Sequence, residues 1–277
     1  MKNIRINLND TTNCARPLHI ERKIQPFFGV IAIEFLLKQK IISSIKMIDL
    51  NDDYVAQSFS SNDCYEPIMI REWLLAATTT QGIILDIGAS TGLYSLLSAS
   101  VGKGRHIHAF EPYARAFSRL INNKEINLFS NIMIHPFAVG QGNSISEFLI
   151  KNLEGPITTG GRIQEDVTKD DSRIKMAVTV KSLADVLPIN EKIGLIKIDV
   201  EGYELFVLEN IRKELERWKP VVFFEALTMN ALKNIALFFI RMGYEIFCLN
   251  EKTSQVEPLP KLIDALPDRN FIARVPC

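Results

Sequence analysis

The segment Leu85-Asp-Ile-Gly-Ala-Ser-Thr-Gly-Leu-Tyr94 constrains the fold of this chain more than any other stretch of its sequence. An apolar run leads into it, and Gly88 and Gly92 then frame a tight turn into a helical pattern. Glycine allows a positive φ and a close approach of the backbone to a ligand. The N-terminus of the following helix offers unpaired N–H groups to an anion. The segment therefore predicts a strand–turn–helix unit with a ligand at the turn.

Short apolar runs alternate with helical patterns from about residue 82 onward, which is typical of a mostly parallel sheet flanked by helices. The predicted fold class is therefore α/β. The predicted strands cover residues 83–87, 106–110, 131–135, 176–181, 195–199, 221–225, 244–249 and 271–275, and the predicted helices cover 91–99, 114–123 and 231–242. A polar stretch at 155–175 predicts a long loop, which in a compact domain is usually functional or mobile.

The first 70 residues precede this alternation. We interpret them as an N-terminal extension that helps to shape the substrate site, followed by the α/β domain at 71–277. Within the extension, the apolar stretch at 27–47 predicts a helix, and residues 51–61 are polar.

Two carboxylates indicate the kind of ligand. Glu111 follows the second predicted strand, 23 residues after Gly88, where it can accept hydrogen bonds from both ribose hydroxyls of an adenosine cofactor. Asp86 can accept from an ammonium group, which a methionine moiety carries. The pattern D-x-G-x-x-x-G lacks the G-x-G-x-x-G spacing of nicotinamide dinucleotide sites, and Asp86 would meet a phosphate there. The sequence therefore favours S-adenosyl-L-methionine over a nicotinamide cofactor.

Four motifs occur in a recognisable order: Asp86-Ile-Gly-Ala-Ser-Thr-Gly92, Phe110-Glu-Pro112, Ala138-Val-Gly140 and Ile196-Lys-Ile-Asp-Val-Glu-Gly-Tyr-Glu204. With them the sequence resembles FkbM family methyltransferases over roughly residues 66–226. The resemblance implies a Rossmann-like class I methyltransferase fold, with helices on both faces of a seven-stranded sheet whose last strand is antiparallel. It also implies methyl transfer from S-adenosyl-L-methionine to a hydroxyl of a small molecule or glycan. Ser90 departs from the asparagine often found there, but it can still form hydrogen bonds.

The candidate site residues follow the ends of the predicted strands. Those expected to bind the cofactor are Asp86, Gly88, Ala89, Ser90, Gly92, Glu111, Pro112, Phe137, Ala138 and Asp199. Asp199, Glu201 and Glu225 are the candidates to orient or deprotonate the acceptor. Alternatively, Asp199 caps the next helix, Glu201 favours its N-terminal dipole and Glu225 makes a structural hydrogen bond. Lys197 is expected to form a structural ion pair with Asp199, two positions along the same strand face.

Composition argues against several other classes of protein. Lys and Arg total 32, as do Asp and Glu, so there is no overall basic field to hold nucleic acid. The four cysteines form no C-x-x-C pair and the four histidines form no ligand set, so no metal is expected and a reducing cytoplasm fits. No apolar run approaches the roughly 20 residues of a membrane span. A nicotinamide-dependent oxidoreductase and a non-catalytic cofactor-binding module remain the alternatives to a methyltransferase.

Overall fold

The computed structural model describes residues 1–9, 29–61, 65–102, 104–150, 156–157, 161–163, 174–187, 190–260 and 265–276. Its strands are β1 (Lys2–Asn7), β2 (Gly29–Leu37), β3 (Lys40–Asp49), β4 (Ile83–Ile87), β5 (Ile107–Phe110), β6 (Ile132–His135), β7 (Ala138–Val139), β8 (Ser144–Ile150), β9 (Arg162–Ile163), β10 (Ile174–Lys181), β11 (Ile193–Ile198), β12 (Val221–Glu225), β13 (Glu245–Asn250), β14 (Gln255–Pro258) and β15 (Asn270–Arg274). Its α-helices are α1 (Tyr54–Ser60), α2 (Pro67–Thr79), α3 (Leu93–Val101), α4 (Ala114–Asn127), α5 (Glu204–Asn210), α6 (Arg212–Trp218) and α7 (Met229–Arg241).

The main sheet contains eight strands in the order β14-β13-β15-β12-β11-β4-β5-β6. The five strands from β12 to β6 run parallel to one another, and β15 runs antiparallel to β12. The mostly parallel α/β sheet predicted from residue 82 onward is confirmed. The implied count of seven strands is one too low, because the chain turns back after β13 and adds β14 as an antiparallel edge strand.

The strand order places a ligand site beside β4. From β4 the chain proceeds outward through β5 to β6, and it later returns to β11 on the other side of β4. In open α/β sheets, ligands bind beyond the carboxyl ends of the strands at such a reversal. All five residues of β4 are buried, as expected for a parallel strand that helices cover on both faces.

Helices pack on both faces of the main sheet. Ile84 contributes to the hydrophobic core on one face, together with Trp73 of α2 and Leu97 of α3. Leu85 contributes to the core on the other face, with Leu215 of α6 among its members. The alternation between adjacent residues of β4 follows from the two-residue period of a strand.

The helix predicted at 27–47 is wrong. This stretch forms the antiparallel hairpin of β2 and β3, and β1 pairs with β2 in parallel. The residues at the tip, Lys38 and Gln39, both have positive φ, as a two-residue turn between twisted strands requires. Ile31 and Ile33 are fully buried on one face of the hairpin, so the apolar residues follow the period of a strand rather than that of a helix. α1 lies within residues 51–61, for which the sequence indicated only polar character.

The N-terminal sheet of β1, β2 and β3 packs against the helices that cover the main sheet. The backbone N–H of Ile48 in β3 donates to Asn123 Oδ1 at 2.8 Å, and Arg119 Nη1 donates to the Ile48 carbonyl at 3.1 Å. Both partners belong to α4. Buried side chains of this sheet and of β4 share one hydrophobic core. The expected boundary between residues 70 and 71 falls inside α2.

A second sheet, in the order β7-β10-β8-β9, follows the third parallel strand. The strand predicted at 176–181 belongs here, in β10. Of the loop predicted at 155–175, only 156–157, 161–163 and 174–175 are among the described residues. Ile157 forms backbone hydrogen bonds with Asp52 and Tyr54, which ties this segment to the N-terminal extension. Among the helices that the structure describes, none has the length and apolar character to cross a membrane.

Candidate active site

The turn after β4 requires glycine at two positions. Gly88 has φ +82°, and a Cβ there would lie 1.8 Å from the carbonyl oxygen of Asp199. Gly92 has φ +99° and begins α3, and a Cβ there would lie 2.1 Å from a methyl carbon of Leu120. At Gly88 the backbone contact leaves no room for a side chain, and at both positions the positive φ favours glycine. The turn is therefore fixed at Gly88 by the backbone of Asp199, which follows β11, and at Gly92 by the Leu120 side chain of α4.

Glu111 is held by the backbone of this turn and of its own loop. Its Oε2 accepts from the N–H of Ser90 at 2.8 Å, and its Oε1 accepts from the N–H of Tyr113 at 2.8 Å. The side chain is buried, with the residue 6% exposed, and burial raises its pKa to about 7. Each carboxylate oxygen keeps a second lone pair for another donor.

A pocket opens beside this carboxylate, with about 860 Å³ of atom-free space that includes some open solvent. Seven of the predicted cofactor-binding residues line it: Gly88, Ala89, Ser90, Glu111, Pro112, Ala138 and Asp199. Other lining residues were not predicted from the sequence, among them Val55 and Tyr65 of the N-terminal extension and Phe148 of the second sheet. No local motif marks these three residues, because tertiary packing brings them to the pocket.

Three predicted cofactor-binding residues do not line the pocket. Asp86 is fully buried beneath the turn, where its Oδ2 accepts from Ser95 Oγ at 2.6 Å. Its Oδ1 has no hydrogen-bond partner among the described residues, and burial raises its pKa. Gly92 directly precedes α3, so it affects the site only by setting where that helix begins. Phe137 packs behind the pocket, with its ring 5.8 Å from that of Phe110.

Lys197 and Asp199 form the ion pair that the sequence predicted, with Nζ and Oδ2 separated by 2.8 Å. The ammonium also lies 4.7 Å from the centre of the Tyr94 ring. Burial opposes the charge of Lys197, but the carboxylates of Asp199 and Asp86 outweigh this effect and raise its pKa. Both members of the pair line the pocket.

The three candidate catalytic carboxylates lie together. One oxygen of each of Asp199, Glu201 and Glu225 lies within 4.8 Å of the others, and we call these residues the acidic cluster. Asp199 and Glu201 follow β11, and Glu225 ends the adjacent β12. The Oε2 of Glu225 is buried without a hydrogen-bond partner among the described residues, and its Oε1 lies 3.8 Å from Arg269 Nη1. Burial, together with the charges of Asp199 and Glu201, raises the pKa of Glu225 to about 10.

The alternative in which Asp199 caps the following helix is not seen. α5 begins at Glu204 with Tyr203 at its N-cap and no side-chain cap hydrogen bond, and Glu204 Oε1 accepts instead from the N–H groups of Val200 and Gly202 in the preceding loop, at 3.1 and 3.0 Å. Asp199 therefore pairs with Lys197 and lines the pocket.

Glu66 was missed by the sequence analysis. It precedes α2, with φ +42°, and accepts from Tyr94 Oη at 2.5 Å and from Asn270 Nδ2 at 2.9 Å. Burial and the charge of Asp199 raise its pKa. The N-terminal extension therefore adds a further carboxyl group near the acidic cluster. Only its position just before Pro67, at a helix start, could have drawn attention to it.

The strand order, the glycine turn after β4 and the carboxylate after β5 together define the class I methyltransferase fold. The chain belongs to the FkbM methyltransferase family, since the model of the Methyltransferase FkbM domain matches residues 86–246. It is thus a methyltransferase.

Individual relatives are distant. Methyltransferase 1 of Beauveria bassiana is 24% identical over 183 residues, which cover 60% of this chain and 69% of the relative. Methyltransferase sdnD of Sordaria araneosa is 24% identical over 221 residues, which cover 67% of this chain and 82% of the relative. Among solved structures, the FkbM methyltransferase of Methylobacillus flagellatus KT is 18% identical with a TM-score of 0.46, and the match covers 70% of this chain and 43% of that chain. A SAM-dependent O-methyltransferase of Thermotoga maritima is 10% identical with a TM-score of 0.44, covering 84% and 74% of the two chains.

Proposed function

We propose that this methyltransferase binds S-adenosyl-L-methionine in the pocket beside β4 and transfers its methyl group to a hydroxyl of a small molecule or glycan. The observation that carries the proposal is the position of Glu111. Two backbone N–H groups hold its carboxylate on the pocket wall, ready for the two hydroxyls of a ribose. Asp199 lines the same pocket and links it to the acidic cluster.

The charge of the pocket fits this cofactor better than a dinucleotide. Lys197 is the only cation among the described lining residues, and it is already paired with Asp199. Glu111 and Asp199 would repel a pyrophosphate. A sulfonium and an ammonium group are positive, so the same carboxylates favour them. The family assignment also supports methyl transfer over hydride transfer.

Different residues of the pocket bind different parts of the cofactor. Glu111 accepts from the ribose hydroxyls, and the N–H groups at the start of α3 bind the carboxylate of the methionine moiety. Tyr113, Phe148 and Ala138 provide apolar surface for the adenine ring. Asp86 lies too deep to line the pocket, so its contribution is negative charge beneath the turn.

The bound cofactor supplies a strongly electrophilic methyl group. The protein mainly has to align the acceptor oxygen behind that carbon. Asp199 or Glu201 orients the acceptor hydroxyl or accepts its proton, which contributes about 10²–10⁴-fold where a general base acts. Glu225 binds a hydroxyl of the acceptor. The loop at 155–175 and the N-terminal extension shape the acceptor site, since Val55 and Tyr65 already line the pocket.

Calorimetric titration with S-adenosylhomocysteine tests the proposal. We expect micromolar binding by the wild type and a loss of about 100-fold in Glu111→Ala, because two hydrogen bonds to a charged group disappear. Glu125→Ala, which removes an exposed carboxylate of α4, is the matched control and should bind as the wild type does. Tighter binding of NAD, or no binding of S-adenosylhomocysteine, would refute the cofactor assignment.

Activity is tested with the cofactor and a panel of sugar and polyketide hydroxyls. The product is examined by mass spectrometry and NMR for a new O-methyl group. Methylation at nitrogen or carbon would contradict the hydroxyl acceptor. Cofactor binding without transfer to any acceptor would favour a non-catalytic module.

A further inference from the structure

The residue before α2 has a strained backbone that the helix itself does not explain. Glu66 has φ +42°, a left-handed conformation that is unfavourable for a residue with a Cβ, and the following Pro67 restricts it further. It stands at the N-cap of α2, but its side chain makes no cap hydrogen bond. Glu251 takes that role, because its carboxylate accepts from the N–H groups of Ile68 and Met69 at 3.0–3.1 Å. Backbone strain often occurs at functional sites, so the contacts of the Glu66 side chain are informative.

The Glu66 side chain holds the first turn of α3. Its Oε2 accepts from Tyr94 Oη at 2.5 Å, and its Oε1 accepts from Asn270 Nδ2 at 2.9 Å. Tyr94 is 5% exposed, and burial raises the pKa of its hydroxyl well above the ordinary value. The hydroxyl therefore stays protonated and remains the donor. Glu66 thus anchors the ring of Tyr94.

The ring of Tyr94 contacts the ammonium group of Lys197. Nζ lies 4.7 Å from the ring centre, within the range of a cation–π interaction, and 2.8 Å from Asp199 Oδ2. Lys197 is 4% exposed, and cation–π contacts are strongest where water is excluded. The carboxylate of Asp86 also attracts this ammonium. The face of Tyr94 therefore helps to keep the ammonium beside Asp199, which lines the cofactor pocket.

We propose that Glu66 is a positioning residue for the ion pair of Lys197 and Asp199. It acts through Tyr94, whose hydroxyl it holds and whose ring contacts the ammonium. This inference rests on the proposed function, since it takes Asp199 as the residue that orients the acceptor hydroxyl or accepts its proton. When the hydrogen bond to Glu66 is lost, the ring loses an anchor and the ammonium shifts from Asp199 towards Asp86. A misplacement of about 1 Å can cost about 100-fold in rate.

The hydrogen bond needs an acceptor oxygen on residue 66 rather than a full charge. Burial and the charge of Asp199 raise the pKa of Glu66, which favours its uncharged form. Glu66→Gln keeps an oxygen that accepts from Tyr94, so it is the conservative variant. Glu66→Ala removes the acceptor, and Tyr94→Phe removes the donor while keeping the ring.

A purely structural role would be to fasten the N-terminal extension to the rest of the domain. Asn127 of α4 does this at another place. Its Oδ1 accepts from the N–H of Lys46, and its Nδ2 donates to the Lys46 carbonyl, both at 2.7 Å. Neither residue lines the cofactor pocket. Asn127→Ala is therefore the matched control for the loss of a polar contact between the extension and the domain.

The experiment is ¹H–¹⁵N NMR of the lysine ammonium groups in the full chain, labelled with ¹⁵N at lysine Nζ. Burial and pairing slow the exchange of an ammonium with water, and the ring current of Tyr94 moves its proton signal upfield. We expect one such signal in the wild type, and none in Lys197→Gln. Glu66→Ala and Tyr94→Phe should each move it downfield or broaden it beyond detection. The double variant should match Glu66→Ala, because both changes break the same hydrogen bond. Glu66→Gln and Asn127→Ala should leave the signal in place.

The turnover of an acceptor methylated by the wild type gives a second readout. Glu66→Ala should lower kcat about 10–100-fold, and Glu66→Gln should restore most of the rate. The KM for S-adenosyl-L-methionine should rise much less, because Glu111 and the turn after β4 are untouched. An unchanged kcat would overturn the positioning role.

Three NMR results would also overturn it. These are no upfield ammonium signal in the wild type, a signal that neither Glu66→Ala nor Tyr94→Phe changes, and an equal change in Asn127→Ala. Titration of S-adenosylhomocysteine into the same samples separates this inference from the proposed function. If the wild type binds this ligand and Glu66→Ala leaves the signal unchanged, the cofactor assignment stands and the positioning role fails. If the signal responds but the wild type binds no S-adenosylhomocysteine, the cofactor assignment fails and the link from Glu66 to Lys197 stands.

Discussion

The cofactor pocket and the acidic cluster that adjoins it at Asp199, called here the cofactor end and the acidic end of the site, satisfy their carboxylates in different ways. At the cofactor end, both oxygens of Glu111 accept backbone N–H groups at 2.8 Å. At the acidic end, Glu225 has a buried oxygen without a partner among the described residues, and three carboxylates converge. Burial raises the pKa of both residues, to about 7 for Glu111 and about 10 for Glu225, where Asp199 and Glu201 add their charge.

The difference shows which carboxylates of the site find their hydrogen-bond partners within the protein. The backbone builds the cofactor end before any ligand arrives, so a ribose only has to use the remaining lone pairs of Glu111. Side chains that follow β11 and end β12 build the acidic end, where burial and the neighbouring carboxylates favour the protonated, uncharged form of Glu225. The first end is suited to recognition and the second to chemistry.

The largest effect should come from the turn that fixes the cofactor end. In Gly88→Ala, the new Cβ meets the carbonyl oxygen of Asp199 and the residue must keep φ +82°. We expect a loss of more than about 3 kcal/mol in the free energy of unfolding, from strain and overpacking together. Gly202→Ala, at the acidic end, has φ +105° but nothing within 4 Å of its Cβ, so it should lose only about 1–2 kcal/mol. Equal losses in urea unfolding would contradict the idea that backbone contact fixes only one end.

Asp199→Asn should separate recognition from chemistry. The amide keeps the shape of the side chain but removes its charge and basicity. Turnover of a methylated acceptor should fall about 100-fold or more. The dissociation constant of S-adenosylhomocysteine should rise much less than turnover falls, because Glu111 and the turn remain intact and this ligand carries no sulfonium charge for Asp199 to favour. Unchanged turnover would remove Asp199 from the mechanism, and a collapse of cofactor binding would show that the two ends are not separate.

The cofactor end was largely predictable from the sequence, because each of its signals lies beside its own strand. Gly88 and Glu111 follow β4 and β5 directly, and the apolar runs that mark these strands are fully buried. Asp199 likewise directly follows a fully buried strand, β11. The functional roles of these residues stay predictions until binding and turnover are measured.

The acceptor side was less predictable, because it depends on tertiary packing. Tyr65 and Glu66 reach the site through the N-terminal extension, whose sheet was misread as a helix. The stretch GVIAIEFLL is apolar on both strand faces, so its period is ambiguous, and the turn at Lys38 and Gln39 carries no glycine. The orphaned oxygen of Glu225 cannot be read from sequence, since it depends on what the fold leaves beside it.

The pH dependence of cofactor binding should be a smaller effect. The pKa of Glu111 is raised to about 7 by burial, and the ribose hydroxyls donate to its ionised form. Binding therefore favours the carboxylate, so affinity is complete well above pH 7 and falls by up to tenfold per pH unit below it. Calorimetric titrations with S-adenosylhomocysteine between about pH 5.5 and about pH 8.5, which is 1.5 units on each side of about 7, cover this range. Glu111→Gln should show a flat profile, and a wild type that is equally flat would mean that Glu111 does not titrate on binding.

The smallest effect should come from Arg269→Ala, which tests how the acidic end is balanced. The guanidinium lies 3.8 Å from Glu225 Oε1 and its side chain is 66% exposed, so water screens the pair. Exposed pairs contribute about 0–1 kcal/mol, and we expect the free energy of unfolding to change by less than about 0.5 kcal/mol. Arg241→Ala, an exposed residue at the end of α7, is the control for loss of one surface charge. A loss above about 1.5 kcal/mol in Arg269→Ala alone would exceed what such a pair supplies. It would mean that Arg269 already neutralises Glu225. The carboxylates of the acidic end would then have their partners within the protein, as Glu111 does at the cofactor end.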